Sequence, residues 1–364
     1  MDEIMHLVRP AIAKMTPYSS ARTEGSQIAM RIRLDANESP YPPYPAGADQ
    51  YELNRYPEGQ PEQLLDTFAD FYGVPRDRLL FTRGADEAID LLVRGFCTEG
   101  IDAILQASPT FAMYAHSAQV QGVDIVDVPL VSPDFQLDVA GILAARDEHP
   151  NIKLLFFCSP NNPTGNLLER NDILSIATAL TGKSIIVVDE LYLDYSGTDS
   201  LAAVLSDCPN IVVLRSMSKE YSLAGERFGI TIANPEIISV LGRMLAPYSL
   251  TQTAIRAVAQ AMTPDGLAYA RANIANILDE RWRVSQALAA SPVVVKVFLS
   301  DANFLLVEVD DARRLVRVMQ ENGIKIRDRS TMHGTGNCVR ISIGTPAEND
   351  AMLSVLECYS EEWG

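Results

Sequence analysis

The chain has 364 residues, 47% hydrophobic and 21% charged, with a formal net charge of −17. That length suggests about two domains with ample chain for a core, and so acidic a balance argues against nucleic acid or an anionic membrane as partner. The five cysteines, odd in number and without metal-type spacing, read as reduced thiols of a cytoplasmic protein, not as a disulfide frame or a metal site.

In chain order, the N-terminus MDEIMHLVRP is acidic and lacks the apolar core of a signal peptide, and no apolar run reaches membrane-crossing length. Residues 1–40 give short helical pattern and then loop, and the stretch from Tyr41 to Pro45 reads as a rigid extended connector. An amphipathic helix is predicted at Glu62–Tyr72, then a strand at Leu79–Thr82 and a helix at Asp86–Phe96. Further strands are predicted at Asp102–Gln106, Asp124–Val128, Lys153–Cys158, Ser184–Asp189 and Asn210–Leu214. Several are continuous Ile/Val/Leu/Phe runs with helical stretches between them. This pattern points to an α/β fold whose mainly parallel sheet is covered by helices on both faces.

After Pro264 the pattern changes. Leu267, Ala270, Ile274, Leu278, Trp282 and Leu288 recur at helical spacing. Strands at Val293–Leu299 and Phe304–Val309, a helix at Asp311–Glu321, strands at Ile324–Arg327 and Cys338–Ile343, and a helix from Pro346 make a smaller α+β unit. The expected division is a large unit at 41–265, with 1–40 and 266–364 forming the N-terminal segment and a small domain that closes over the site.

Ligands of open parallel sheets bind at the carboxyl ends of the strands, so the residues ending each apolar run matter most. FTRGADEAIDLL stops a strand at Thr82, passes Gly84 and opens a helix at Ala85–Asp86, a ready anion cradle. LLFFCSPNNPTGN ends a strand in a turn with Asn161, Asn162 and Gly165. IIVVDELYLDY closes a strand on Asp189, and VLRSMSKEYSLAGERFG closes one on Ser216, Ser218 and Lys219, with Arg227 beyond. Singly these are an ordinary helix start, a turn, a cap and a polar loop. Together they supply what a pyridine-ring cofactor with a phosphate tail needs. A lysine can form the Schiff base, a buried acid can face the ring nitrogen, and polar groups and an anion site can hold the rest.

SPNNPTG, DELYLDY and SMSKEYSLAGERFG, in this order and spacing, resemble the fold-type I pyridoxal-phosphate aminotransferases over essentially the whole chain. The resemblance implies pyridoxal 5'-phosphate as cofactor and Lys219 as Schiff-base lysine and general acid/base. It places Asp189 on the pyridinium nitrogen, and Asn162 and Tyr192 on the ring hydroxyl. Phe111 stacks on the ring where tyrosine is commoner, and Ala85, Asp86, Ser216, Ser218 and Arg227 surround the phosphate. TPYSSAR, LDANESPYPP, LNRYPEGQ, IKIRDRS and CVRISIGT are further similar to the histidinol-phosphate aminotransferase subfamily.

That subfamily resemblance implies a homodimer in which Tyr56 reaches the partner's cofactor phosphate. It also implies a substrate site with Tyr18, Asn37, Arg327 and Arg340. Strand alternation turns Arg340 away from Val339 and Ile341, and guanidinium groups suit both the phosphate of histidinol phosphate and the carboxylate of glutamate. An aromatic aminotransferase, a phosphothreonine-type decarboxylase and a non-catalytic cofactor-binding protein remain as alternatives. Neither a metal nor a nucleic-acid partner is expected.

Overall fold

The computed structural model describes residues 2–16, 32, 34–44 and 52–363. Its larger sheet contains β1 (Leu79–Thr82), β2 (Ala103–Gln106), β3 (Asp124–Asp127), β4 (Ile152–Cys158), β5 (Ile185–Asp189), β6 (Ile211–Ser216) and β7 (Gly229–Ala233). The spatial order is β1-β7-β6-β5-β4-β2-β3. β3, β2, β4, β5 and β6 run parallel, while β7 is antiparallel to both β6 and β1.

The apolar runs form central strands because both their faces are covered. In β5, Ile186 and Val188 join one core layer and Ile185 and Val187 the other. Leu155 and Phe157 alternate in the same way with Leu154 and Phe156 along β4. At the N-terminus, grouped above with the small unit, Ile4, Leu7 and Val8 instead bury against the large sheet, beside the helices Gly84–Phe96 and Pro235–Met244.

A second sheet, antiparallel throughout, holds β8 (Val294–Val297), β9 (Phe304–Val309), β10 (Arg327–Asp328) and β11 (Cys338–Ser342) in the order β10-β11-β9-β8. It has its own core, built on Val307, Val339, Ile341, Leu315, Met319 and Leu356. The helix Pro264–Ala289 spans the two units: Leu267 packs on the large core, and Val284 and Leu288 lie in the small one.

Two departures from the sequence reading have local causes. The strand expected at Ile324–Arg327 shrinks to β10, because Ile324 N–H donates to Met319 O (2.8 Å) and Gly323 N–H to Gln320 O (3.0 Å). These bonds, with Gly323 at φ 75°, close the preceding helix in a left-handed cap. The strand expected to end at Leu214 runs on to Ser216, because β7 pairs Ile230 with Arg215 and Gly229 with Ser216. No crossover helix is needed between antiparallel neighbours, so residues 217–228 are free to form the loop that carries Lys219.

Candidate active site

The carboxyl ends of β4, β5 and β6, the start of the helix Gly84–Phe96 and the edge of the small sheet enclose a cavity of about 370 Å³. It is lined by Ala85, Asp86, Phe111, Asn162, Asp189, Tyr192, Ser216, Ser218, Lys219, Arg227, Arg327 and Arg340, as expected from sequence. Cys158 and Arg329 also line it.

One end is a cradle for an anion. Gly229 pairs with Thr82 on one side and Ser216 on the other, drawing the ends of β1 and β6 together. A Cβ on Gly229 would stand 2.5 Å from the Gly84 carbonyl carbon and 2.8 Å from Ala85 N, so only glycine permits this approach. Gly84, at φ 76°, opens the helix whose first-turn N–H groups lack helical acceptors. Arg227 closes the cradle at φ 55°, a conformation costly for a residue with a side chain. Its Nη2 lies 3.1 Å from Asp86 Oδ2. Ser216 Oγ donates to Ser218 Oγ (2.8 Å) and accepts from Ser218 N–H (3.0 Å), folding the β6 terminus over the same space.

The middle is set by Asp189, which is 2% exposed. Oδ2 accepts from the Tyr114 hydroxyl at 2.7 Å and Oδ1 from Leu191 N–H at 3.2 Å. Burial pushes its carboxyl up to about 6, against the lowering effect of the Tyr114 hydrogen bond. A cation at this position would hold it ionised. Phe111 packs edge-to-face on Tyr114 (5.7 Å between centroids), and Tyr192 on Phe304 (5.2 Å).

The two asparagines of the SPNNPTG turn divide their work. Asn161 ties the turn to Pro109 O, Thr110 and Thr164, while Asn162 faces the cavity and accepts from Arg340 Nη1 at 2.5 Å. Lys219 Nζ lies 5.8 Å from the Tyr192 ring centroid. Burial, and then the charge of Arg340, hold its ammonium below the ordinary lysine range, as a nucleophile or base near neutral pH requires. Its carbonyl accepts from the Tyr195 hydroxyl (3.0 Å), fixing the backbone behind the amine.

The far end belongs to the small sheet. Arg327 pairs with Arg340 across β10 and β11, and among the described residues neither these two nor Arg329 forms an ion pair with a carboxylate. Three predicted residues are not in this cavity. Tyr56 is 48% exposed and stacks on Tyr248 (4.3 Å) elsewhere on the surface. Asn37 is exposed, at φ 55°. Tyr18 lies outside the described residues.

Sequence reasoning missed Tyr114 and Arg329. Both stood in stretches singled out for other residues, Tyr114 three positions after Phe111 and Arg329 two after Arg327. The set as a whole suits pyridoxal phosphate. The glycine-to-glycine approach opens the helix start to a phosphate, and among the described residues the buried Asp189 carboxylate forms no ion pair, a partner that a pyridinium N–H would supply.

A matching fold, cradle, buried acid and lysine define a class. Residues 30–356 match the family model for aminotransferase class I and II, and the chain belongs to that family. It is 40% identical to histidinol-phosphate aminotransferase 2 of Idiomarina loihiensis over 363 residues, 99% of each chain. It is also 40% identical to the histidinol-phosphate aminotransferase of Aeromonas salmonicida, over 97% of this chain and 98% of that one. The crystal structure of histidinol-phosphate aminotransferase from Sinorhizobium meliloti in complex with pyridoxal-5'-phosphate superposes with a TM-score of 0.79 at 24% identity. That match covers 86% of this chain and 84% of the other, and it supports the same fold.

Proposed function

We propose that this chain is a pyridoxal-phosphate-dependent transaminase that exchanges an amino group between glutamate/2-oxoglutarate and imidazole-acetol phosphate/histidinol phosphate, in histidine biosynthesis. The observation that carries the choice of substrate is the Arg327–Arg340 pair, which lines the same cavity as Lys219 and has no carboxylate partner among the described residues. Near-full-length similarity to two relatives named for that activity supports the same reading.

The bound cofactor supplies an electron-accepting pyridinium ring. Ala85, Asp86, Ser216, Ser218 and Arg227 would hold its phosphate, Asp189 would serve the ring nitrogen, Asn162 and Tyr192 the ring hydroxyl, and Phe111 the ring face. Lys219 would anchor the cofactor and, once the substrate amine has displaced it, its freed Nζ would be the base that takes the proton from the substrate Cα. Ionised Asp189 stabilises charge developing across the ring. Arg327 and Arg340 grip the phosphate of one substrate and a carboxylate of the other.

Two broader elements belong to this proposal. One is a division near residue 265, with 41–265 as the cofactor unit, 266–364 as the small unit that closes the site, and 1–40 as an N-terminal segment whose start packs on the large sheet. The separate small core and the arginines it brings to the cavity support that division. The other is a cytoplasmic homodimer in which Tyr56 serves the partner's cofactor phosphate. Tyr56 is exposed and absent from its own protomer's cavity. No helix among the described residues is long and apolar enough to cross a membrane.

The test is an absorbance titration of cofactor-loaded protein with L-histidinol phosphate and, separately, L-phenylalanine. Loss of the visible cofactor band at far lower histidinol phosphate supports the proposal. Preference for phenylalanine would make the chain an aromatic aminotransferase, and release of CO2 would make it a decarboxylase.

A further inference from the structure

The small-sheet end of the cavity holds three guanidinium groups, more than a single carboxylate needs. In β10 and the residue beyond it, Asp328 separates Arg327 from Arg329, so strand alternation places both arginines on one side. Arg340 is the cross-strand neighbour of Arg327, and all three line the cavity. The Asp328 carboxylate is turned to its own chain, where Oδ1 accepts from Ser330 N–H (2.8 Å) and Ser330 Oγ (2.6 Å). Arg329 is anchored by its backbone N–H to Cys338 O (2.9 Å), while its Nε is buried with no hydrogen-bond partner.

The charged and titratable groups acting on Arg329 are Arg340 on β11, Arg327 and Asp328 on β10, and Tyr192 after β5. Burial first, and the two neighbouring guanidiniums next, push Arg329 down to about 10, which still leaves it charged at neutral pH. Three converging cations are unfavourable until an anion arrives.

A carboxylate brings one negative charge and two acceptor oxygens, which the two guanidiniums of the Arg327–Arg340 pair already more than satisfy. A phosphate monoester brings nearly two charges and three acceptor oxygens, with its second ionisation near pH 6. We propose that Arg329 is a specificity-determining residue, which favours a doubly ionised phosphate monoester over a carboxylate at this end of the site. The proposal rests on the transaminase reading above and adds to it the charge state that the site selects.

The experiment compares wild-type, Arg329→Gln and Arg329→Lys holoenzymes. Apparent Kd values for L-histidinol phosphate and L-glutamate come from the two half-reactions, read by cofactor absorbance at pH 5.5 and pH 8. Arg329→Gln is expected to weaken histidinol phosphate about 10- to 100-fold at pH 8, the range for a lost charge-assisted contact, and glutamate at most about 3-fold. The variant-to-wild-type ratio cancels titrations that affect both enzymes alike, such as that of the ligand's amine, and leaves the one that Arg329 senses. For histidinol phosphate it should shrink at pH 5.5, where the ester is mostly singly charged. Arg329→Lys should recover most of the loss, which a merely structural role for the side chain would not predict.

Equal weakening of both substrates, no weakening of either, or a ratio independent of pH would overturn the proposal. If wild-type enzyme converts glutamate but not histidinol phosphate, the substrate reading itself fails and this inference with it.

Discussion

Asp189 couples two opposing demands at a single residue. It must be buried to act strongly on a cofactor ring, yet burial alone favours its neutral form. The Tyr114 hydrogen bond offsets part of that cost. Tyr114→Phe should therefore raise the Asp189 carboxyl further, moving the acid limb of the kcat–pH profile to higher pH and lowering kcat roughly tenfold near neutrality. A raised acid also has a stability signature. Its contribution is fully present below its unfolded value of 3.8 and is lost as pH rises through about 6.

Asp189→Asn should accordingly stabilise cofactor-free protein at pH 8 by on the order of 2–3 kcal/mol relative to pH 4, as measured by urea unfolding at the two pH values. Asp189, Asn162 and Lys219 were legible in the sequence because polar residues ending apolar runs are conspicuous. Tyr114 and Arg329 were not, because their importance lies in contacts across 75 positions in one case and in strand pairing in the other.

Among the elements, β6 and β7 carry the site's precision. Gly229→Ala must push apart the backbones of β7 and the β1–helix turn, since the new methyl group meets main chain and not a yielding side chain. Expected outcomes are a loss of about 1–3 kcal/mol of stability and cofactor binding weakened at least tenfold, read by thermal melts and fluorescence titration. On the side of β6 opposite Leu214, Arg215 is buried among three acidic side chains. Asp194 lies at 2.5 Å and Glu190 at 3.9 Å, while burial pushes Glu220 up to about 8.

Arg215→Met would strand those acids, at a cost of about 3–5 kcal/mol in urea unfolding at pH 7, with part of the loss regained at low pH as they protonate. The parallel strands could be read from their apolar runs, to within a residue or two. β7 went unseen because GITIA is short and one of its two partners, β1, lies about 150 positions earlier. Its antiparallel pairing is a property of the assembled sheet.

At the scale of the whole molecule, the acidic surface and the arginine-lined cavity stand in contrast. The net charge of −17 excluded broad classes of partner, while only the folded chain concentrates Arg227, Arg327, Arg329 and Arg340 around one cavity. The proposed exchange of Tyr56 between subunits can be tested by complementation. Lys219→Ala and Tyr56→Ala proteins, each inactive or nearly so, should regain up to about a quarter of wild-type activity when unfolded and refolded together. One site in each mixed dimer is then intact. No recovery, with mixed dimers confirmed by mass, would place Tyr56 outside the neighbour's site.

The pairing of β1 with β7 has a consequence for the growing polypeptide. Leu79 finds its partner in Ile232, about 150 positions later, a stretch that takes a ribosome roughly 8–30 s to make. Throughout that interval Leu79, Leu80 and Phe81 have no strand beside them on that side, and the glycine contact that shapes the phosphate cradle does not exist. Cofactor capture must therefore wait until Gly229 has been made and docked, so a nascent chain halted before that point should fail to retain the cofactor however much of its parallel sheet has formed.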